Sequence, residues 1–236
     1  RSKRCRGRIG RGRRIRRRDN RQPTIDPLGP CEASNQQRFS IKYSNTDLGE
    51  FETQLVGEHN LLNAAAVIVV CYKLKLDMGK VREAIGQFRG TTRRFEYIGE
   101  RNGAILIDDY GHHPEEVRVT LKATKEIYPD KNIIAVFHPH SYSRTEALLQ
   151  DFGQSFDFAN EVVVLDIYGS ARENTGNVSS KDLVNLINKY DPRKAEYVPT
   201  IPEAVDYLKD KIGPSDVILC IGAGNVFEVA ERLKEK

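Results

Sequence analysis

Apolar and polar residues alternate at Phe39, Ile41 and Tyr43, and again at Phe51, Thr53 and Leu55. A period of two puts each set on one face of an extended strand. Between them, Asn45-Thr46-Asp47-Leu48-Gly49 carries turn-forming residues, so 39–56 predicts a β-hairpin. The period then lengthens to that of a helix over about 60–74. Asp77 to Gly79 interrupts it, and Val81, Ala84, Ile85 and Phe88 resume helical spacing up to Gly90. The stretch 39–94 is too small for a self-sufficient core and reads as the tail of a larger domain.

After Arg94 the pattern changes again. Two extended runs, 95–99 and 104–108, flank Glu100-Arg101-Asn102-Gly103, where Asn-Gly is a hairpin signal. Strands are then expected at 104–108, 133–137, 161–167, 195–198 and 216–221. Helices are expected at 114–127, 144–158, 180–190, 202–212 and 225–235. Pro114 suits a first helical turn, and Glu115 and Glu116 suit the positive end of the helix dipole. Strand–helix alternation without internal repeats predicts the α/β class: a mostly parallel, doubly wound, Rossmann-like sheet over 95–236.

Three of these strands end in polar clusters that hold four of the five histidines. They are Asp108-Asp109-Tyr110-Gly111-His112-His113-Pro114, His138-Pro139-His140-Ser141-Tyr142-Ser143-Arg144, and Asp166-Ile167-Tyr168-Gly169-Ser170-Ala171-Arg172-Glu173. In an open parallel sheet the carboxyl ends of neighbouring strands share one edge, and ligands bind there. Three segments far apart in the chain are therefore expected to meet at one site. Its His, Arg, Asp and Tyr content suits an anionic or zwitterionic ligand.

Composition changes this picture at one end only. The net charge of the 236 residues is +4, but residues 1–21 hold eleven Arg and one Lys against a single Asp. The other 25 basic and 32 acidic residues net −7. The first segment, 1–38, has no apolar periodicity and reads as a disordered tail or as sequence that is not native coding. A nucleic-acid-binding arm is the rival, since Arg runs neutralise phosphates. No aromatic residue lies among the arginines, and nothing downstream resembles a nucleic-acid module. No run approaches the roughly 18 apolar residues of a membrane helix, and no apolar stretch follows the basic start as in a signal peptide. Cys5, Cys31, Cys71 and Cys220 show no metal-type spacing, and Cys71 and Cys220 sit in apolar runs as reduced core residues. A cytoplasmic location is expected.

Each motif has a plain structural reading beside a functional one. Gly57-Glu58-His59-Asn60-Leu61-Leu62-Asn63-Ala64 opens a helix, with Asn60 and Asn63 one turn apart. The pair can read a purine edge, or Asn60 can simply cap the helix. Arg93-Arg94-Phe95-Glu96 is a solvated charge cluster or a phosphate contact. A single Asp at 108–109 would merely cap the next helix. Two acids, two His and a Tyr within six residues can hold a ribose or orient a carboxylate, but adjacent His residues do not share a helical face as metal ligands do. His138 to Arg144 reads as an anion cradle before a helix, with Ser143 as the cap. Ile221-Gly222-Ala223-Gly224-Asn225 is too short for a dinucleotide fingerprint and reads as a tight turn.

Taken together, these motifs resemble the Mur ligases, ATP-dependent ligases of peptidoglycan precursor synthesis, over about 39–236. The carriers are the 57–64 run, Arg93-Arg94-Phe95-Glu96, the 108–114 cluster, Pro139-His140-Ser141-Tyr142-Ser143-Arg144-Thr145, and the 166–173 cluster. The resemblance implies a three-domain enzyme in which 39–94 ends a central α/β ATPase domain and 95–236 is the carboxyl-terminal domain. It implies ATP and Mg²⁺ as cofactors, with UDP-N-acetylmuramate and L-alanine joined through an acyl phosphate. Carried over residue by residue, His59, Asn60, Asn63, Arg94 and Asp109 match the ATP side. Tyr110, His112, His140 and Arg144 match the alanine and muramoyl side. No metal ligand and no catalytic residue is assigned, and neither a membrane nor a nucleic acid is an expected partner. The family's pattern often has Gln at 138 and Arg or Thr at 141, so the Ser141 departure puts weight on Arg144. No Gly-x-x-Gly-Thr-x-Gly-Lys-Thr/Ser phosphate loop occurs, so the expectation is a carboxyl-terminal fragment, inactive alone. A murein-tripeptide recycling ligase is the nearest alternative; a non-catalytic module with an Arg-rich arm is the alternative of another class.

Overall fold

The structure, a computed structural model, describes residues 23–31, 34–55, 57–169 and 176–234. The Arg-rich 1–21 run, with the nucleic-acid-arm reading, and the Ser170-to-Glu173 end of the third cluster lie outside the described residues. The chain divides between Gly90 and Thr91 into two compact units, four residues before the expected boundary at Arg94.

The first unit is a three-stranded antiparallel sheet with two helices: β1 Pro23–Cys31, β2 Ser34–Tyr43, β3 Thr46–Thr53, α1 Glu58–Lys73 and α2 Met78–Gln87. The alternation read from the sequence gives the buried face. Phe39, Ile41, Phe51 and Thr53 are buried, with Phe39 and Phe51 stacked at 6.0 Å. Two expectations are corrected. Residues 23–31 and 34–38 are not without regular structure. β1 pairs along β2 from Pro23↔Tyr43 to Cys31↔Ser34, and Ile25 enters the core beside Phe39 and Ile41. A strand containing Pro23, Pro27, Gly29 and Pro30 carries little strand propensity of its own, so pairing with β2 decides it. The hairpin turn is also shorter than expected, since Tyr43 pairs with Thr46 around Ser44-Asn45 alone. The remaining turn-like residues make a bulge. Leu48 is the extra residue there and is buried, and Gly49 takes φ 89°. α1 starts at Gly57, at φ 95° and with no side-chain cap, so Asn60 is not the capping residue. Asp77 caps α2 by accepting from the Gly79 and Lys80 N–H groups.

The second unit holds β4 Glu96–Arg101, β5 Ala104–Asp109, α3 Pro114–Ile127, β6 Asn132–Phe137, α4 Tyr142–Ala147, α5 Leu149–Gly153, β7 Glu161–Val164, α6 Ser180–Tyr190, β8 Ala195–Tyr197, α7 Ile201–Leu208, β9 Asp216–Ile221 and α8 Phe227–Lys234. The sheet order is β4-β5-β9-β6-β7-β8, parallel except for β4. Asn102 (φ 52°) and Gly103 (φ 80°) make the two-residue β4–β5 turn, as the Asn-Gly signal required. Alternate residues of each central strand feed opposite cores. Ile133, Ala135 and Phe137 pack with Val117, Leu121, Phe152 and Leu183 on one face. Ile134 and Val136 pack with Ala204, Leu208, Val229 and Leu233 on the other. Cys220 lies in that second core with its thiol pushed up by burial.

The single helix expected at 144–158 is two short ones. Leu148 kinks the chain between α4 and α5, although Leu148 N–H still reaches the Arg144 carbonyl and Phe152 N–H the Leu148 carbonyl. The strand expected to 167 ends at Val164, but its pairing continues: Leu165 N–H donates to Phe137 and Tyr168 N–H to Pro139. No helix among the described residues is long and apolar enough to cross a membrane.

Candidate functional site

The last strand of the chain is the middle strand of the site. β9 runs between β5 and β6, so the turn Gly222-Ala223-Gly224 separates the first two clusters. Gly222 N–H donates to the Asp109 carbonyl, and His138 N–H donates to the Ile221 carbonyl. A Cβ at Gly222, which sits at φ 155°, would lie 2.7 Å from the His138 carbonyl. One at Gly224 would lie 3.1 Å from the Tyr168 ring and 3.2 Å from His138 Nδ1. The glycine turn is therefore what lets the neighbouring strand ends close up.

Across this edge the rings form one row. Tyr110 and His112 meet edge to face at 5.5 Å, and His112 and His140 at 6.2 Å. His140 stacks on Tyr168 at 5.7 Å, and Tyr168 meets His138 edge to face at 5.4 Å. The His140–Tyr168 bridge extends the parallel ladder beyond β6 and β7. Arg144 lies on the first turn of α4, its Nη1 3.4 Å from His140 Nδ1. Ser141, not Ser143, caps α4: its Oγ accepts from Arg144 N–H at 3.2 Å, at φ 73°. The cap residue must precede the first helical residue, Tyr142, and Ser143 already lies inside the helix. Tyr110, His112, His140 and Arg144 are thus brought together. Tyr168 and His138 join them, and the sequence reading had not singled either out as a site residue.

His113 serves the helix rather than the row. It caps α3, with Glu116 closing the capping box. Burial pushes the Glu116 carboxyl up. The backbone N–H of His112, the His112 charge and the His113 N–H outweigh that, and it sits below its ordinary range. The carboxylate also lies 3.6 Å from His112 Nδ1. Burial, followed by the charge of His140, pulls His138 down to about 4, which leaves its ring neutral near pH 7; its Nδ1 has no hydrogen-bond partner among the described residues.

The adjacent acids point to opposite faces, as strand alternation demands. Asp108 is fully buried on the α8 side and meets Arg93 Nε at 2.9 Å. Burial pushes it up to about 6 against the lowering effect of Arg93. Asp109, 6% exposed, accepts from Phe95 N–H at 2.9 Å and Gly111 N–H at 2.8 Å. Arg94 is exposed, its guanidinium 5.4 Å over the Tyr110 ring. In the first unit, His59 and Asn60 are half-buried and Asn63 is exposed on the opening turns of α1. Among the described residues no group of three His, Cys, Asp or Glu side chains could hold a metal ion.

The chain is similar to known proteins in sequence and in fold. A family described as Mur ligase, glutamate ligase domain, matches residues 93–224. The UDP-N-acetylmuramate–L-alanine ligase of Caldanaerobacter subterraneus subsp. tengcongensis is 46% identical over 198 residues, which is 84% of this chain and 43% of that protein. The Clostridium acetobutylicum protein of the same name is 40% identical, covering 84% and 43%. Among solved structures, the UDP-N-acetylmuramate–alanine ligase of Thermotoga maritima superposes with a TM-score of 0.71 at 28% identity, covering 85% of this chain and 42% of that one. A murein peptide ligase of Psychrobacter arcticus shares the fold, with a TM-score of 0.63 at 20% identity. The chain spans less than half the length of the curated relatives it matches.

Proposed function

This chain belongs to the Mur ligase family, and on that premise we propose that it forms part of an ATP-dependent ligase joining L-alanine to UDP-N-acetylmuramate. In this reading residues 39–94 end the central ATP-binding domain, and residues 95–236 are the domain that presents the amino acid. The observation that carries it is the ring row Tyr110–His112–His140–Tyr168 with Arg144 at its side. Alanine is a small zwitterion. Arg144 offers a bidentate partner for its carboxylate, while Tyr110 and His112 wall the amine. ATP supplies the phosphoryl group that activates the muramoyl carboxylate. The amine then attacks the acyl carbon, and inorganic phosphate leaves. Arg94 of the second unit offers a positive charge to a phosphate, and preorganised charge of this kind is where phosphoryl transfer gains most; in the first unit, taken by itself, Asn60 and Asn63 offer side-chain amides to a base. The Mg²⁺ that such chemistry implies would find no ligand set among the described residues of the second unit, where the Asp108 and Asp109 carboxylates are taken up by Arg93, Phe95 and Gly111.

The test is a chimera of residues 39–236 with the amino-terminal part of the Caldanaerobacter relative. L-Alanine-dependent phosphate release in the presence of UDP-N-acetylmuramate and ATP supports the reading. Release that depends instead on a murein tripeptide would replace it with the recycling ligase. This chain by itself is expected to bind ATP only in the millimolar range, about −4 kcal/mol. Calorimetry giving micromolar affinity would contradict the division of the nucleotide site.

A further inference from the structure

Arg94 stands between two residues in the left-handed region, Arg93 at φ 60° and Phe95 at φ 51°. Neither is a residue type that enters this region readily, and such a conformation persists only where the surroundings hold it. Here two consecutive carboxylates do so, from opposite faces of the sheet. On the α8 side, Asp108 Oδ2 accepts from Arg93 Nε at 2.9 Å, and Arg93 Nη2 donates to the Gly222 carbonyl at 2.7 Å. The same guanidinium lies 4.8 Å over Phe227 and 5.0 Å over Tyr110. On the α3 side, Asp109 accepts from Phe95 N–H at 2.9 Å. The Arg93 backbone is tied as well: its N–H donates to Glu96 at 2.6 Å, and its carbonyl accepts from Tyr110 N–H at 2.8 Å. The residues on either side of Arg94 are thus fixed to strand ends, while Arg94 itself is exposed.

We propose that Asp108 and Arg93 are positioning residues, whose buried ion pair, closed on the Gly222 carbonyl, sets the direction in which Arg94 presents its guanidinium to a nucleotide phosphate. The inference rests on the nucleotide-side reading of Arg94 given above. Asp108 has no exposed surface, so it touches no ligand itself. Burying a carboxylate and a guanidinium together is a poor way to gain stability, since desolvation offsets much of the attraction. What this pair achieves is geometric. It joins the segment before β4 to the ends of both β5 and β9, which no apolar pair could do with the same directionality. A site held to within a fraction of an ångström needs such supporting contacts behind the residue that meets the ligand.

NMR on the full chain reads this directly. Asp108→Asn removes the charge and keeps the shape. Arg93→Lys keeps the charge but loses the rigid planar fork that serves the carboxylate from Nε and the carbonyl from Nη2. In both variants the Tyr110 amide is expected to exchange at least tenfold faster, and the Overhauser contact between the Arg94 side chain and the Tyr110 ring is expected to vanish. The Leu219 amide in β9 should be unchanged, which reports an intact fold. An ATP titration should show affinity reduced by the same factor as in Arg94→Ala. Unchanged exchange and a retained Arg94–Tyr110 contact would overturn the proposal. So would local loosening with wild-type ATP affinity while Arg94→Ala weakens binding. If Arg94→Ala leaves ATP affinity untouched, the nucleotide reading fails instead, and the lost or retained Arg94–Tyr110 contact alone decides the positioning role. Should Asp108→Asn fail to fold, Arg93→Lys carries the test, because that side chain is 20% exposed.

Discussion

The two units use their apolar residues differently. In Thr91–Lys236 both faces of the central strands are covered, and among the described residues the exposed large apolar side chains Tyr97, Tyr168 and Tyr190 each carry a hydroxyl, with Phe158 the exception at 38% exposed. In Arg1–Gly90 the helix α1 buries Leu61, Ala64, Ala65 and Ile68 on one side and leaves Leu62, Val67 and Val70 about half exposed on the other, with Leu74, just past its end, more exposed still. A helix that is apolar all round is built for burial on more than one side. α1 therefore carries in its own sequence the demand for a second packing surface, whereas α3 and α6 carry one buried stripe each. The ring row and the carboxylate ties lie in the unit whose sheet is covered, where rigid packing can hold them.

Hydrogen exchange tests this contrast most strongly. Amides of β6 and β9 are expected to exchange at least a hundredfold more slowly than those of β2 and α1, a gap of about 2.7 kcal/mol or more. Equal protection would remove the distinction. A paired substitution sharpens it: Phe137→Ala should cost about 3–5 kcal/mol, as a buried aromatic does, while Leu74→Gln should stay within about 0.5 kcal/mol and reduce binding of an apolar dye. In the chimera, Arg144→Ala should raise KM for L-alanine and lower kcat/KM by about 1.5–3 kcal/mol, with ATP KM barely moved. Arg144→Lys should recover only part, because a point charge does not reproduce the fork. Harm to ATP kinetics instead would put the amino-acid site elsewhere.

The smallest expected effect concerns pH, because two buried groups oppose each other. His138 titrates near 4 when folded and near 6.5 when unfolded. As pH falls through that window only the unfolded chain takes the proton, and stability drops by about 1.4 kcal/mol per pH unit. Asp108 titrates near 6 when folded and 3.8 when unfolded. As pH falls from 6 to 4 the folded chain takes that proton first, and stability rises at the same rate. Between pH 4 and 6 the two contributions offset. Urea midpoints of His138→Gln should therefore rise as pH falls through this range, and those of Asp108→Asn should fall. Parallel behaviour of the two variants would show that one group is placed in the wrong environment.

Local chemistry was readable where neighbours in sequence decide the structure. Asn102-Gly103 specified its hairpin because few residues tolerate two successive positive φ values. The alternation of β2 and β3 gave the buried face of the first sheet, and Pro114 marked the start of α3. The strand-end clusters were expected to meet, because parallel strands share one carboxyl edge; it was the family resemblance that singled out Tyr110, His112, His140 and Arg144 within them. The rest depended on contacts between residues far apart. β1 has almost no strand propensity and exists through pairing with β2. Nothing in the order of elements says that β9, last in the chain, lies between β5 and β6, so the role of Gly222 and Gly224 in closing the edge could not be read. Asp108 and Asp109 look equivalent as letters. Strand alternation turns one to Arg93 and the other to Phe95 N–H, and only the packed sheet decides which carboxylate meets which partner. The sequence determined which residues could do the chemistry; the tertiary structure decided which of them are held, and by what, because burial and long-range hydrogen bonds are properties of the assembled sheet.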